Sequence, residues 1–235
     1  MGTDTYVALD LEMTGLHPKQ DRIIEIGAVL VEEGEIKDRF STFINPRMAL
    51  PGKVTEITGI READLAGAPE MKEMLTPLSD FLGDHCLLGH SILFDYSFLK
   101  RAFVNEKYAF EKKGIDTLKL ARKFLPDLPA KRLGDVCRHY RISEQAHRAL
   151  GDAMAAHLIY QKMKAEFYNE DTAKDFCPRP LVYKIKKEAP AGKKQKERLF
   201  SLLEKHKLIS ETDIDSMTKN EVSRLTDQIL AKYGR

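Results

Sequence analysis

Three apolar runs open the chain. Residues 5–11 (TYVALDL) read as a buried strand, 22–31 (RIIEIGAVLV) as a second and 35–44 (EIKDRFSTFI) as a third. The short EEGE link at 32–35 contains Gly34 and predicts a hairpin between the last two; Asn45-Pro46 ends the third strand. The period then changes. Helices are predicted from Pro69 to about Phe81, from Asp95 to about Val104, over 117–124 and 131–140, and from Leu150 to about Phe167. Between the first two, residues 86–89 (CLLG) read as a short buried strand. Strands first, then strand and helix in alternation, imply an α/β domain with a mixed sheet.

The pattern breaks again at 184–197 (KIKKEAPAGKKQKE), which lacks apolar periodicity and holds Pro190 and Gly192, a linker signal. Beyond it, RLFSLLEKHKL and TKNEVSRLTDQILAKYG read as two amphipathic helices. Thr218 and Glu221 fit a capping box, and Val222, Leu225, Ile229 and Leu230 form an apolar face. The expected organisation is a first domain over 1–175, a basic linker over 176–197 and a small helical module over 198–235. So short a module buries little core by itself.

Composition narrows the class. With 43% hydrophobic and 31% charged residues in 235, the chain is expected to be globular. It contains no apolar stretch long enough for a membrane span. The start, MGTDTYVALD, has neither the basic segment nor the apolar core of a signal peptide, and Tyr6 stands where a myristoylation signal needs Ser or Thr. Cys86, Cys137 and Cys177 are few and widely spaced, which fits reduced thiols and a cytoplasmic location. The net charge of +2 is unevenly spread: residues 1–175 carry 24 basic and 28 acidic side chains, residues 176–235 carry 14 and 8. A basic tail behind an acidic domain suggests separate tasks.

Acidic residues supply the candidate chemistry. Asp10 and Glu12 lie two apart on the first strand, so both carboxylates project from one face while Leu9 and Leu11 point to the other. Two like charges on a half-buried face need a cationic partner, and hard divalent cations with oxygen ligands supply it. Asp95 and Asp152 sit at junctions leading into helices, where α/β domains place their sites. His147, five residues before Asp152, is expected on the loop ahead of the last long helix, and its imidazole suits a base that activates water. Two metals about 4 Å apart supply what phosphodiester hydrolysis needs: an activated hydroxide, charge neutralisation and a stabilised leaving oxygen. Any one of these residues alone is more often a solvated or ion-paired group; agreement at three separate places gives the set its weight.

Those same segments resemble a known family. LDLEMTGL (9–16), GHSILFDYSFL (89–99) and HRALGD (147–152) are similar to the three motifs of DnaQ-like DEDDh exonucleases, which include proofreading subunits of bacterial replicative polymerases, RNase T and oligoribonuclease. VTEITGIREADLAGAP (54–69) and the segment 115–142 resemble family segments in the same order, so the likeness spans roughly residues 5–165. It implies an RNase H-like fold, a mixed five-stranded sheet flanked by helices. The implied activity is 3′→5′ hydrolysis from the 3′ end of single-stranded DNA with two divalent cations, Mg2+ or Mn2+. Asp10 would bridge both cations, Glu12 and Asp152 would hold the nucleophile-side one, Asp95 would support the second, and His147 would be the general base. Met13, Thr14, Gly15 and Leu16 would line the 3′-terminal nucleotide, with Leu16 as an apolar wedge.

Substrate preference stays open at this level. Met13 resembles oligoribonuclease-like members, whereas His90 and Phe94 fit the DNA-editing pattern. The alternatives are an RNA-processing 3′→5′ exoribonuclease and a catalytically silent nucleic-acid-binding adaptor. Expected partners are single-stranded 3′ ends and a DNA polymerase or another replication or repair protein, with no membrane. The tail from about Lys193 resembles small helical modules on some bacterial exonucleases and recombination proteins, and its basic segments could follow a nucleic-acid backbone.

Overall fold

The computed structural model describes residues 4–143, 147–185, 190–210 and 213–234. They divide into two compact units, Met1–Tyr183 and Lys184–Arg235.

In the first unit, β1 (Tyr6–Met13), β2 (Ile23–Glu32) and β3 (Glu35–Phe43) form an antiparallel meander. β4 (Leu87–Gly89) and β5 (Lys113–Asp116) continue the sheet in parallel beyond β1, and β6 (Arg179–Pro180) closes it antiparallel, giving the order β3-β2-β1-β4-β5-β6. The sheet is thus mixed, as expected, but has six strands rather than five. β6 has only two residues, one of them proline, too few to leave a pattern. Phe176 and Leu181 are buried beside it, so residues 176–183, assigned to a linker from the sequence, belong to the first unit.

Seven helices accompany these strands among the described residues: α1 (Gly52–Thr58), α2 (Glu62–Leu65), α3 (Met71–Leu82), α4 (Ile92–Asn105), α5 (Thr117–Phe124), α6 (Leu133–Tyr140) and α7 (Ala149–Phe167). Alternation along β1 sorts them into layers. Tyr6 and Ala8 pack with Ala153, Ala156, Ile159 and Met163 of α7 on one face. Val7, Leu9 and Leu11 pack with Leu75, Leu78 and Leu82 of α3 and Ile92 and Leu99 of α4 on the other. Burial on both faces explains why β1 and β2 read as almost continuous apolar runs. α1 and α2 span two turns or fewer, too short for a 3.6-residue period to emerge.

The second unit holds α8 (Lys193–Lys205) and α9 (Lys219–Tyr233) around Ala191, Leu199, Leu203, Ile214, Met217, Val222 and Ile229. The Thr218–Glu221 capping box is present: the Glu221 carboxylate accepts from the Thr218 amide at 2.7 Å. α8 starts inside the expected linker, because its first turn is entirely polar and leaves no apolar signal.

Candidate active site

β1 delivers the first two carboxylates. Asp10 and Glu12 share the face that looks towards α7, opposite to buried Leu9 and Leu11. β1 and β4 pair only through Val7–Leu87 and Ala8–Leu88. β4 ends at Gly89, so beyond Leu9 the carboxyl-terminal part of β1 has β2 alone as its paired strand. Asp95, in the first turn of α4, is buried, its carboxylate held by the backbone amides of Leu11 and of Asp95 itself. The turn into α4 is sharp. Ser91 adopts a left-handed conformation, and its amide donates to Asp116 at 3.0 Å.

Asp152 arrives on the first turn of α7. One carboxylate oxygen each from Asp10, Glu12 and Asp152 lies within 4.8 Å of the others. Two residues on β2, unremarked in the sequence, bring α7 to this place. Gly27 pairs with Asp10 across the sheet, and a Cβ there would sit 2.1 Å from the Ala149 carbonyl carbon and from the Leu150 nitrogen. The start of α7 therefore rests directly on a strand stripped of its side chain. Glu25, 2% exposed and paired with Glu12, accepts from Arg148 at 2.8 Å and from the Ala149 amide at 3.1 Å. Arg148 also lies 5.3 Å over the Phe43 ring. Glu25 thus clamps the residues that separate His147 from Asp152. A conserved-looking spacing cannot reveal such a pair; only the register of β2 against β1 does.

Electrostatics marks the cluster. Burial, and then the nearby carboxylates of Asp95, Asp152 and Glu12, raise the Asp10 carboxyl well above its ordinary range. Burial also pushes Glu12 up to about 7, helped by Asp152 and Glu25 and opposed by Arg148. Asp95 is pushed up to about 8 by burial against the pull of its two amides. So much compressed negative charge, offered through oxygen atoms alone, fits a hard divalent cation.

A linkage prediction follows. Folded-state values above the unfolded ones mean that this contribution to stability is full below the ordinary carboxylate range. It is lost as pH rises through about 7 to 8. Bound cations require the ionised form and reverse the loss. The rise in Tm on adding Mn2+ should therefore be larger at about pH 8 than at about pH 6. A rise equal at both would mean that the carboxylates are already ionised without metal.

The remaining expected site residues are placed as follows. His147 is exposed in the turn before α7, with a left-handed backbone (φ 62°). The residues just ahead of it, 144–146, lie outside the described set. Leu16 is 73% exposed, an apolar side chain offered to solvent near the end of β1. Asp21 organises its loop, accepting from the His17 amide at 2.7 Å and from the Thr14 hydroxyl at 3.5 Å. Thr14 is itself buried and accepts from the Arg22 amide at 2.9 Å. It is therefore a turn anchor rather than a free contact. Gly15 leaves room for the Asp21 carboxylate, which an added Cβ would meet at 2.5 Å. Met13 packs beside the α3–α4 core, and Phe94 lies edge-on to Phe98 at 5.4 Å.

His90 departs from the expected substrate role. Its Nε2 donates to the Lys131 carbonyl at 2.8 Å, so Nδ1 accepts from the Thr117 hydroxyl at 2.9 Å. Burial lowers its pKa. Both nitrogens are used in tying the β4–α4 turn to α5 and the segment before α6.

Removing one partner of a buried, hydrogen-bonded charge is costly. Because Arg148 is half exposed, Glu25→Gln is expected to lower unfolding free energy by only about 2 kcal/mol. Urea denaturation measures this, and an unchanged midpoint would deny the clamp its structural weight.

A mixed sheet with both faces covered, bringing Asp10 and Glu12 of β1 together with Asp152 of α7, is an RNase H-like fold with an acidic cluster that could hold a metal ion. The chain belongs to the exonuclease family, whose profile matches residues 7–160. It is 40% identical over 168 residues to the PolC-type DNA polymerase III of Clostridium perfringens, a match covering 69% of this chain and 12% of that polymerase. It is 33% identical to the epsilon subunit of DNA polymerase III from Aquifex aeolicus, covering 70% of this chain and 82% of that subunit. Among solved structures, exonuclease X bound to 5′-overhanging duplex DNA superposes with a TM-score of 0.57 at 24% identity, over 73% of this chain and 98% of that one. An Escherichia coli exonuclease I bound to a dT13 oligonucleotide reaches 0.63 at 19% identity, over 68% and 41%. The chain thus spans only a small part of its PolC-type relatives. No helix among the described residues is long and apolar enough to cross a membrane.

Proposed function

We propose that this protein is a 3′→5′ exonuclease that removes nucleotides from single-stranded DNA with the help of two divalent cations, Mg2+ or Mn2+. The convergence of Asp10, Glu12 and Asp152 within 4.8 Å, with Asp95 beside Asp10, supports this reading. When bound, paired cations supply charge neutralisation at the phosphoryl group and activation of water. Asp10, Glu12 and Asp152 would hold the cations, with Asp95 in support. His147, exposed in the turn before α7, would accept the proton of the attacking water. Leu16 and Phe94 bracket the terminal base by apolar contact, while Met13, Thr14 and Gly15 shape the floor beneath it. The likeness to polymerase III chains supports a replication or repair protein, a DNA polymerase among them, as the partner.

RNA hydrolysis is the second reading, favoured by Met13 at the rim of the site. Matched 5′-labelled DNA, RNA and very short RNA oligomers, incubated with Mg2+ or Mn2+, separate the two. A ladder shortening from the 3′ end, fastest on DNA and absent in excess chelator, is the expected result. Strong preference for very short RNA would overturn the choice of DNA, and turnover surviving the chelator would remove the metal-dependent mechanism.

A further inference from the structure

The exonuclease unit has an electrostatic difficulty. Its substrate is a polyanion, yet residues 1–183 carry 25 basic and 28 acidic side chains, with acidic groups concentrated at the cleavage site. Residues 184–235 reverse the balance, with 13 basic and 8 acidic. Much of that excess lies on α8, where Lys193, Lys194, Lys196, Arg198 and Lys205 outnumber Glu197 and Glu204. Described exposed charges on α9 are Lys219, Glu221, Asp227 and Lys232, which cancel. α8 is different: four of its first six residues are Lys193, Lys194, Lys196 and Arg198, and its first turn has no acidic residue.

This arrangement works against the helix. Cations at a helix N-terminus oppose the macrodipole, and acidic residues belong there. A local rule broken with no gain to the fold points to a use outside it. Two of the four have partners within the unit, the firmer being Lys196, which reaches the Asp215 carboxylate at 3.2 Å and its carbonyl at 2.6 Å. Lys193 is exposed and 3.9 Å from Glu197. Lys194, Arg198 and Lys205 are all exposed and spaced four and seven residues apart. At 100° per residue they fall within about 40° of arc, a straight row about 16 Å long. Leu199 and Leu203 face the core on a different side of the helix.

We propose that the Lys194–Arg198–Lys205 face of α8 is a second contact for single-stranded nucleic acid, gripping the sugar-phosphate backbone and holding the strand by charge. It rests on the reading of the first unit as a nuclease for its choice of strand. The row matches a chain of regularly spaced anions, and a polyanion that must be held near an acidic centre is the ligand the enzyme already requires.

The test uses the full chain. Binding of labelled oligothymidylate is followed by anisotropy across a salt series in excess EDTA, which stops hydrolysis. Three phosphate contacts on a single strand contribute about 2 to the slope of log Kd against log salt. K194Q/R198Q/K205Q should lose that much slope, an advantage of the wild type that shrinks about twentyfold over a fourfold rise in salt. R198Q alone should lose about 0.7, and as a single exposed change it keeps the test valid if the triple variant loses helix. Hydrolysis with Mn2+ of the p-nitrophenyl ester of thymidine 5′-phosphate, which carries no further phosphates for α8 to grip, should be the same in all variants. Wild-type failure on that ester would sink the nuclease reading while leaving the slopes to judge α8. Slopes unchanged by the substitutions would overturn the proposal, as would tighter binding of the wild type to phosphatidylserine vesicles than to the oligonucleotide.

Discussion

Asp10→Asn should lower the rate of phosphodiester hydrolysis by about 10³-fold or more while leaving the protein folded, a loss in the range seen when one member of a cooperating catalytic set is removed. Asn keeps the volume of the side chain and removes its charge. In the cation-free protein that charge is a burden: burial and four nearby carboxylates, Asp95, Asp152, Glu12 and Glu25, all oppose it. Two opposite responses are therefore expected from one substitution. Without metal, the Tm should hold or rise, because repulsion within the cluster is relieved. With Mn2+, the further rise shown by the wild type should largely disappear, since the carboxylate that binds the cations is gone. Differential scanning fluorimetry with and without Mn2+, beside a single-turnover assay on labelled DNA, reads both. Retained turnover, or an undiminished response to Mn2+, would contradict the role assigned to Asp10.

The legible and illegible parts of this site differ in their physics. Asp10 and Glu12 were readable because a strand fixes their common face by a period of two, and Leu9 and Leu11 confirm which face is buried. α5 was readable to the residue over 117–124, because Asp116 ahead of it accepts from the Leu118 amide as a cap should. α7 was readable from the length of its apolar pattern. Its docking was not. That depends on Gly27 and Glu25, whose meaning comes from which residues they face across β1 and beneath α7. His90 misled for a similar reason: a histidine in a motif suggests chemistry, but Thr117 and the Lys131 carbonyl, 27 and 41 residues away, occupy its ring. Short elements escaped where no apolar run marked them: β4 was legible from CLLG, whereas β5 (KGID), β6, α1 and α2 offer neither such a run nor the length at which a period can be counted. Leu16 was readable as a candidate only through family resemblance, and its exposure is what makes an apolar contact with a base physically available.

Gly27→Ala should be far more damaging than its size suggests. The added carbon would lie 2.1 Å from backbone atoms of Ala149 and Leu150, and backbone cannot swing aside as a side chain does. Ordinary carbon contacts are about 3.5 Å or more, so the first turn of α7 must retreat from β2 by about 1.5 Å. Overpacking of this kind costs about 1–3 kcal/mol or more. The same retreat carries Asp152 away from Asp10 and Glu12, and strains the bonds from Arg148 and Ala149 to Glu25. Catalytic groups must hold position to about 0.5 Å, and an error of about 1 Å costs about 100-fold. Turnover should therefore fall by about 100-fold or more even where circular dichroism shows the helices intact. Gly52→Ala is the matched control, because nothing lies within 4 Å of its added carbon and the position opens α1. It should leave both the urea midpoint and the rate unchanged. If Gly27→Ala behaved like Gly52→Ala, the close seating of α7 on β2 would not be what brings the third carboxylate to the other two.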